Sequence, residues 1–474
     1  MSATALAAGQ RINGFELLEH VHRGGMASLW RVARDDGGEP ALMKVPAVQD
    51  DPAAIVGFEV EQMIMPLLSG IHVPRFIAAG GFEAQPYVVM EYVPGPSLRG
   101  RLEDAPLPSE QVATIGASIA EALHDLHLQH VIHLDVKPSN VLFRPGGEAV
   151  LIDYGLARHE SLPDLLAEEF RLPLGTGPYI SPEQVLGVRD DPRSDLFALG
   201  AILYHLATGQ RAFGTPSSLA GLRKRLYRAP VPPRQHNAQC PPWLQEIVLH
   251  CLEVDPELRY GSASQAAFEL AHPDMVALTA RAHRRADNSL GQQLRRWFRS
   301  VRPAPLPLPL SVARQLRRAP IVLAAVDVSE EWEALADALR NASDRVLQAE
   351  PHARLACVSV LKTARIGLDD LNDEAGNNRH IQRLVQLQHW ARPLALPAQR
   401  LTCHVLEAPD PAAAIVEFAR SNRVDHIVIG SRGSSGLRRY LGSVSTQVVA
   451  EAPCSVTVVK VPQRDAAGEL ASVQ

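Results

Sequence analysis

Residues 131–140 read VIHLDVKPSN, and thirteen residues past Asn140 the apolar run Ala149–Ile152 has ended in Asp153-Tyr154-Gly155. Transfer of a phosphoryl group requires parts of this kind. A carboxylate must orient the attacking hydroxyl, an amide oxygen and a second carboxylate must hold Mg²⁺, and a cation must sit near the phosphate. Asp135, Asn140, Asp153 and Lys137 supply these in turn. Upstream, HRGGMA at residues 22–27 precedes the strand-like run Leu29–Val32, and Lys44 follows in ALMK. Small residues such as Gly24 and Gly25 let backbone N–H groups approach phosphates closely, and a lysine on the next strand pairs with them. Any one of these motifs alone reads as an ordinary turn. Their ordered co-occurrence does not.

From about residue 10 to 270 the chain resembles the eukaryotic-like protein Ser/Thr kinases, in nearly every block and in the right order. The resemblance implies an α+β bilobal kinase fold, ATP and Mg²⁺ as cofactors, and protein substrates bearing Ser or Thr. It makes Lys44 the third-strand lysine and Glu61 its ion-pair partner on the first helix, with Glu59 on the same segment as the alternative. Asp135 becomes the catalytic base, Lys137 the cation at the transferring group, and Asn140 and Asp153 the Mg²⁺ ligands. Gly24 and Gly25 belong to the glycine loop, Met90 is the gatekeeper, and Glu91, Tyr92 and Val93 line the adenine hinge through backbone groups. GTGPYISPEQ at residues 175–184 resembles the segment closing the activation loop, with Ser181-Pro182-Glu183 in place of Ala-Pro-Glu. Arg259 matches the arginine that pairs with that glutamate, and Asp195 the buried aspartate of the helical core. Lys137 together with Thr176 is the Ser/Thr pattern.

Departures from the family pattern carry expectations of their own. His22 and Ala27 occupy the outer glycine positions, so only the middle glycine, Gly24, remains, and nucleotide is expected to bind less tightly or turn over more slowly. Tyr154 replaces the phenylalanine of Asp-Phe-Gly and must find a partner for its hydroxyl. Leu134 replaces the arginine that would clamp a phosphate on the activation loop, so loop phosphorylation is not expected to switch the enzyme on. The weakened glycine loop favours a second reading, a pseudokinase scaffold that grips nucleotide, whereas the intact Lys44, Asp135, Asn140 and Asp153 set favours activity. His124, His127 and His130 fall on the helix leading into the catalytic loop and are read as part of it rather than as a metal cluster. His133 is read as a packed scaffold residue.

The rest of the chain sets the domain organisation. Its 474 residues are about three domain lengths, with 46% hydrophobic and 21% charged residues, the composition of a folded soluble protein. A net charge of -5 gives no basic field for nucleic acid. Five widely spaced cysteines without a C-x-x-C pair, the lack of a leader-like start and the lack of any 20-residue apolar window lead to the expectation of a cytoplasmic protein. The sequence divides into a kinase domain at 10–272, a basic Pro/Arg-rich linker at 273–318, a second domain at 319–463 and a tail at 464–474. Residues 281–318 hold ten arginines, one acid and four prolines, and the spaced prolines favour an extended spacer. A membrane contact through Arg295–Arg299 is the less favoured alternative.

Beyond the linker, strand-like and helix-like runs alternate from Ile321 to Val459, the pattern of a doubly wound α/β parallel sheet. Its first strand ends at Asp327, and the last strand–helix junction reads HIVIGSRGSSGLRRYLGSVS, where free N–H groups at a helix start can meet a phosphate. Residues 319–462 resemble the universal stress protein family. Its nucleotide-binding members carry Gly-x₂-Gly-x₉-Gly-Ser/Thr and an aspartate at the end of the first strand. Asp327, Gly430, Gly433, Gly442 and Ser443 match, but eight residues, not nine, separate Gly433 from Gly442. The resemblance also implies a homodimer through the terminal strand Ser455–Val459, with the domain coupling a stress-type signal to the kinase.

Overall fold

The computed structural model describes residues 6–23, 27–35, 37–46, 52–285, 319–328, 333–363, 378–431 and 442–460. Gly24, Gly25, Gly433 and the linker from residue 286 to 318 lie outside the described residues. The described residues fall into two compact units, 6–285 and 319–460.

The first unit opens with a six-stranded antiparallel sheet in the order Arg11–Ile12, Phe15–Arg23, Ala27–Arg34, Ala41–Pro46, Tyr87–Glu91, Phe76–Gly80. The last of these, FIAAG, is a short, small-residue run with little alternation of its own. Period-two alternation along Ala41–Pro46 buries Ala41, Met43 and Val45 with Leu17, Val32 and Val89. Lys44 therefore faces the opposite way. The helix Pro52–Ile64 carries Glu61 on its buried face.

A helical lobe follows. Ser109–Leu128 buries Val112, Gly116, Ile119, Leu123 and Leu126, a 3.6-period stripe. Arg193–Thr208 is buried almost throughout, so it forms the centre of the lobe. Two glycines permit that packing. A Cβ at Gly116 would meet Leu203 Cδ2 at 2.5 Å, and one at Gly200 would meet Cys251 Cβ at 2.6 Å.

Residues 273–285, read from composition as the start of the linker, fold against the helical lobe: Ala282 is fully buried beside the helix Pro242–Cys251, and Gln245 Nε2 donates to the Arg281 and Arg284 carbonyls. Arg281 pairs with Glu246 at 3.0 Å and Glu253 at 2.9 Å. Arginine content made residues 281–285 look like spacer, but the Glu246 and Glu253 carboxylates, from an earlier part of the chain, hold Arg281.

The second unit is a five-stranded, all-parallel sheet in the order Leu401–Ala408, Arg354–Lys362, Ile321–Ala325, His426–Gly430, Ser455–Val459. Alternate residues of the central strand serve opposite faces. Ile321, Leu323 and Ala325 pack with Ile415, Phe418 and Val448 from the helices Pro411–Ser421 and Ser443–Glu451. Val322 and Ala324 pack with Leu339, Leu387 and Trp390 from the helices Glu333–Ala349 and Arg379–Ala391. This is the doubly wound arrangement, and its order reverses between the first and fourth strands. Among the described residues no helix is long and apolar enough to cross a membrane.

Candidate active site

Lys44 Nζ lies 2.6 Å from Glu61 Oε2 and 2.7 Å from Asp153 Oδ1. Strand, helix and loop thus converge on one ammonium, and Glu61 rather than Glu59 is the partner on the first helix. Burial pulls the Lys44 pKa down, but the charges of Asp153 and Glu61 outweigh it and leave it raised. For Asp153, burial pushes up and the Lys44 ammonium pulls further down, so its pKa ends below the ordinary carboxylate range. Glu61, 1% exposed, goes the other way, because burial exceeds the attraction of Lys44.

Asp135 is buried, and its carboxylate gathers three donors. Lys137 Nζ reaches Oδ2 at 2.6 Å, Asn140 Nδ2 donates to the same oxygen at 3.3 Å, and Thr176 Oγ1 donates to Oδ1 at 2.7 Å. The bond from Thr176 ties the segment 175–184 to the loop that carries Asp135. The sequence marked Thr176 only as part of a residue pattern.

The loop that carries Asp135 is itself strained. Leu134 has φ 60°, a left-handed conformation that costs a non-glycine residue roughly 1–3 kcal/mol. Asp195 holds it: its two carboxylate oxygens accept the N–H groups of His133 at 2.9 Å and Leu134 at 2.8 Å, while His127 Nε2 lies 2.9 Å from Oδ2. Gln184 Nε2 donates to the Leu134 carbonyl at 2.8 Å. The Leu134 side chain is buried, as the apolar exchange leads one to expect. Tyr154 is also buried, and its hydroxyl donates to the Leu151 carbonyl at 2.9 Å, which supplies the partner this substitution needed. Further along, Arg259 grips Glu183 with two bonds of 2.5 and 2.8 Å.

Met90, in the strand Tyr87–Glu91, and Val93, just past it, are buried. Between them, Glu91 receives both guanidinium nitrogens of Arg144 at 2.5 and 3.1 Å, and Arg144 Nε donates to the Ile71 carbonyl at 2.8 Å. That bidentate pair, which lowers the Glu91 pKa through the Arg144 hydrogen bonds, spans 53 residues and has no local signature in the sequence.

In the second unit, Ala325 pairs with Ile429. Asp327 therefore lies just past the carboxyl end of its strand and Gly430 is the last residue of the neighbouring one, at the place where the strand order reverses. Asp327 Oδ1 is 3.8 Å from Arg383 Nη1. Gly442 donates its N–H to Ser431 Oγ at 3.3 Å and caps the helix beginning at Ser443. A Cβ at Gly430 would press on Leu335 at 3.0 Å, so close packing by itself gives one reason for glycine there.

Residues 15–272 match the model of the protein kinase domain, more than half of the chain. The chain belongs to the protein kinase domain family. Residues 320–460 match the model of the universal stress protein family. Among curated kinases, a probable serine/threonine-protein kinase of Clostridium perfringens is 30% identical over 261 residues, 54% of this chain and 38% of its own. The probable serine/threonine-protein kinase PkwA of Thermomonospora curvata is 33% identical over 260 residues, 54% of this chain and 34% of its own. The serine/threonine-protein kinase PknB of Mycolicibacterium smegmatis is 34% identical over 186 residues, 39% of this chain and 30% of its own. The match thus spans between 30% and 38% of the length of these three relatives.

Proposed function

We propose that the first unit is an active protein serine/threonine kinase that transfers a phosphoryl group from ATP to protein hydroxyls, its own included. The observation that carries this reading is the convergence of Lys44, Glu61 and Asp153 beside an Asp135 already bonded to Lys137, Asn140 and a threonine hydroxyl. In the proposed roles, Lys44 meets the phosphates, Asp135 orients the acceptor hydroxyl and Lys137 offsets charge on the transferring group. Gly24, Gly25, Met90, Glu91 and Val93 surround the nucleotide. The Asp153 carboxylate and the Asn140 amide oxygen are hard donors that suit Mg²⁺, which when bound neutralises charge on the phosphates.

Incubation of the full chain with labelled ATP and Mg²⁺, with and without a basic acceptor protein, tests this beside Asp135→Asn and Lys44→Met. Label well above both variants is expected. Equal label in all three would leave the pseudokinase reading, which the single family-position glycine at Gly24 favours.

For the second unit we propose nucleotide binding by Asp327, Gly430, Gly433, Gly442 and Ser443, supported by the reversal of strand order beside Asp327 and Gly430. A homodimer through Ser455–Val459 is supported by the position of that strand at the sheet edge, where four of its five residues are half-buried. A cytoplasmic location completes the proposal.

A further inference from the structure

Arg225, in the short turn Lys224–Leu226, is 1% exposed, yet among the described residues no carboxylate lies within ion-pair distance of it. Burial draws its pKa down to about 10, which leaves it charged at neutral pH. A buried guanidinium must find acceptors elsewhere. It finds backbone carbonyls: Nη1 donates to Ile180, Nη2 to Gly177 at 2.6 Å and Nε to Leu222 at 3.2 Å. Two of those three carbonyls belong to the segment that begins at Thr176, whose hydroxyl sits 2.7 Å from Asp135. The same segment is closely approached from a second side: a Cβ at Gly177 would meet the Pro216 carbonyl at 2.9 Å.

The guanidinium also lies over the Phe213 ring at 5.2 Å, Phe213 stacks on Phe197 at 5.4 Å, and Arg259 lies over Phe197 at 5.0 Å. Two stacked rings are thus flanked by two arginines. Arg259 holds the segment at Glu183, and Arg225 holds it at Gly177 and Ile180. An acceptor hydroxyl placed on Asp135 forces the polypeptide around it to run against residues 176–180. We propose that Arg225 is a positioning residue for the protein substrate, fixing through the Gly177 and Ile180 carbonyls the surface on which the acceptor chain lies. This inference rests on the kinase reading above and deepens it. Arg225 touches neither the nucleotide groups nor Asp135, so its effect falls on acceptor binding and not on ATP.

The test uses the full chain with myelin basic protein as acceptor, comparing wild type, Arg225→Met, Arg225→Lys and Phe213→Leu. The expected result for Arg225→Met is an acceptor KM raised about tenfold with the ATP KM within about twofold. Arg225→Lys falls between, because an ammonium cannot span two carbonyls as a planar fork does. An unchanged acceptor KM, or a fall in kcat and ATP affinity together with a lowered melting temperature, would overturn the proposal. Where Arg225→Met does not fold, Phe213→Leu is read in the same way. Hydrogen exchange over residues 174–182 gives a measurement that needs no turnover: faster exchange in the variants supports the hold on this segment, and unchanged exchange refutes it. Failure of wild type to label any acceptor would instead sink the kinase reading.

Discussion

In the first unit, Lys44 and Asp153 stand 2.7 Å apart although 109 residues separate them in the chain, whereas in the second unit Asp327 and Gly430 are brought together by the ends of two adjacent strands. The kinase cluster is ionic, and its members hold one another in place. Among the described residues, the second unit offers Asp327, with 37% of its side chain exposed, at one strand end and backbone groups at a helix start. Pre-paired charges give a site geometry that costs little reorganisation during reaction. A strand-end site inherits its shape from the sheet.

Breaking the ionic site should have the largest effect. Asp135→Asn is expected to lower the rate of phosphoryl transfer about a thousandfold, measured by label incorporation, while the far-ultraviolet circular dichroism stays the same. Next comes the buried pair below it. Arg259→Met leaves Glu183 uncompensated and should cost about 3–5 kcal/mol in urea unfolding, a loss that no substitution at Asp327 should match.

The pH dependence sharpens the comparison. The Asp153 pKa is depressed, so its contribution to stability is present above the ordinary carboxylate value of about 4 and is lost as pH falls through the folded value. The stability difference between wild type and Asp153→Asn should therefore be full at pH 7 and shrink below about pH 4, as followed by urea titration. In the second unit, Asp327→Asn should weaken one of two nucleotide-binding events about tenfold in calorimetry of the full chain. A single event per chain, unaffected by Asp327→Asn, would remove nucleotide from that unit. The smallest effect belongs to Ser161→Ala, the only hydroxyl between Tyr154 and Thr176, which should keep activity within about twofold because Leu134 offers no clamp for a loop phosphate. A tenfold drop there would show dependence on loop phosphorylation.

Much of this architecture was readable in one dimension. The alternating strand-like and helix-like runs expected between Ile321 and Val459 appear as alternating strands and helices, because each is a single hydrophobic period bracketed by turn residues. The catalytic loop and Asp-Tyr-Gly were readable because their chemistry is packed into short spacings. Three features were not. The strand Phe76–Gly80 carries too few large residues to declare itself. The Glu91–Arg144 pair and the grip of Arg225 on Gly177 and Ile180 join residues 53, 48 and 45 positions apart, and nothing near either arginine announces its acceptor.

Residue order alone determined which groups are available, Lys44, Glu61, Asp135, Asn140 and Asp153 among them, and on which kind of element each would lie, since those follow from short-range periodicity and spacing. Only the tertiary structure decided that Glu61 and not Glu59 reaches Lys44, that residues 273–285 belong to the helical lobe, and that a buried arginine closes on main-chain carbonyls. Such choices depend on which desolvated charges find partners across the fold, and that pairing is a property of three-dimensional packing that no local pattern encodes.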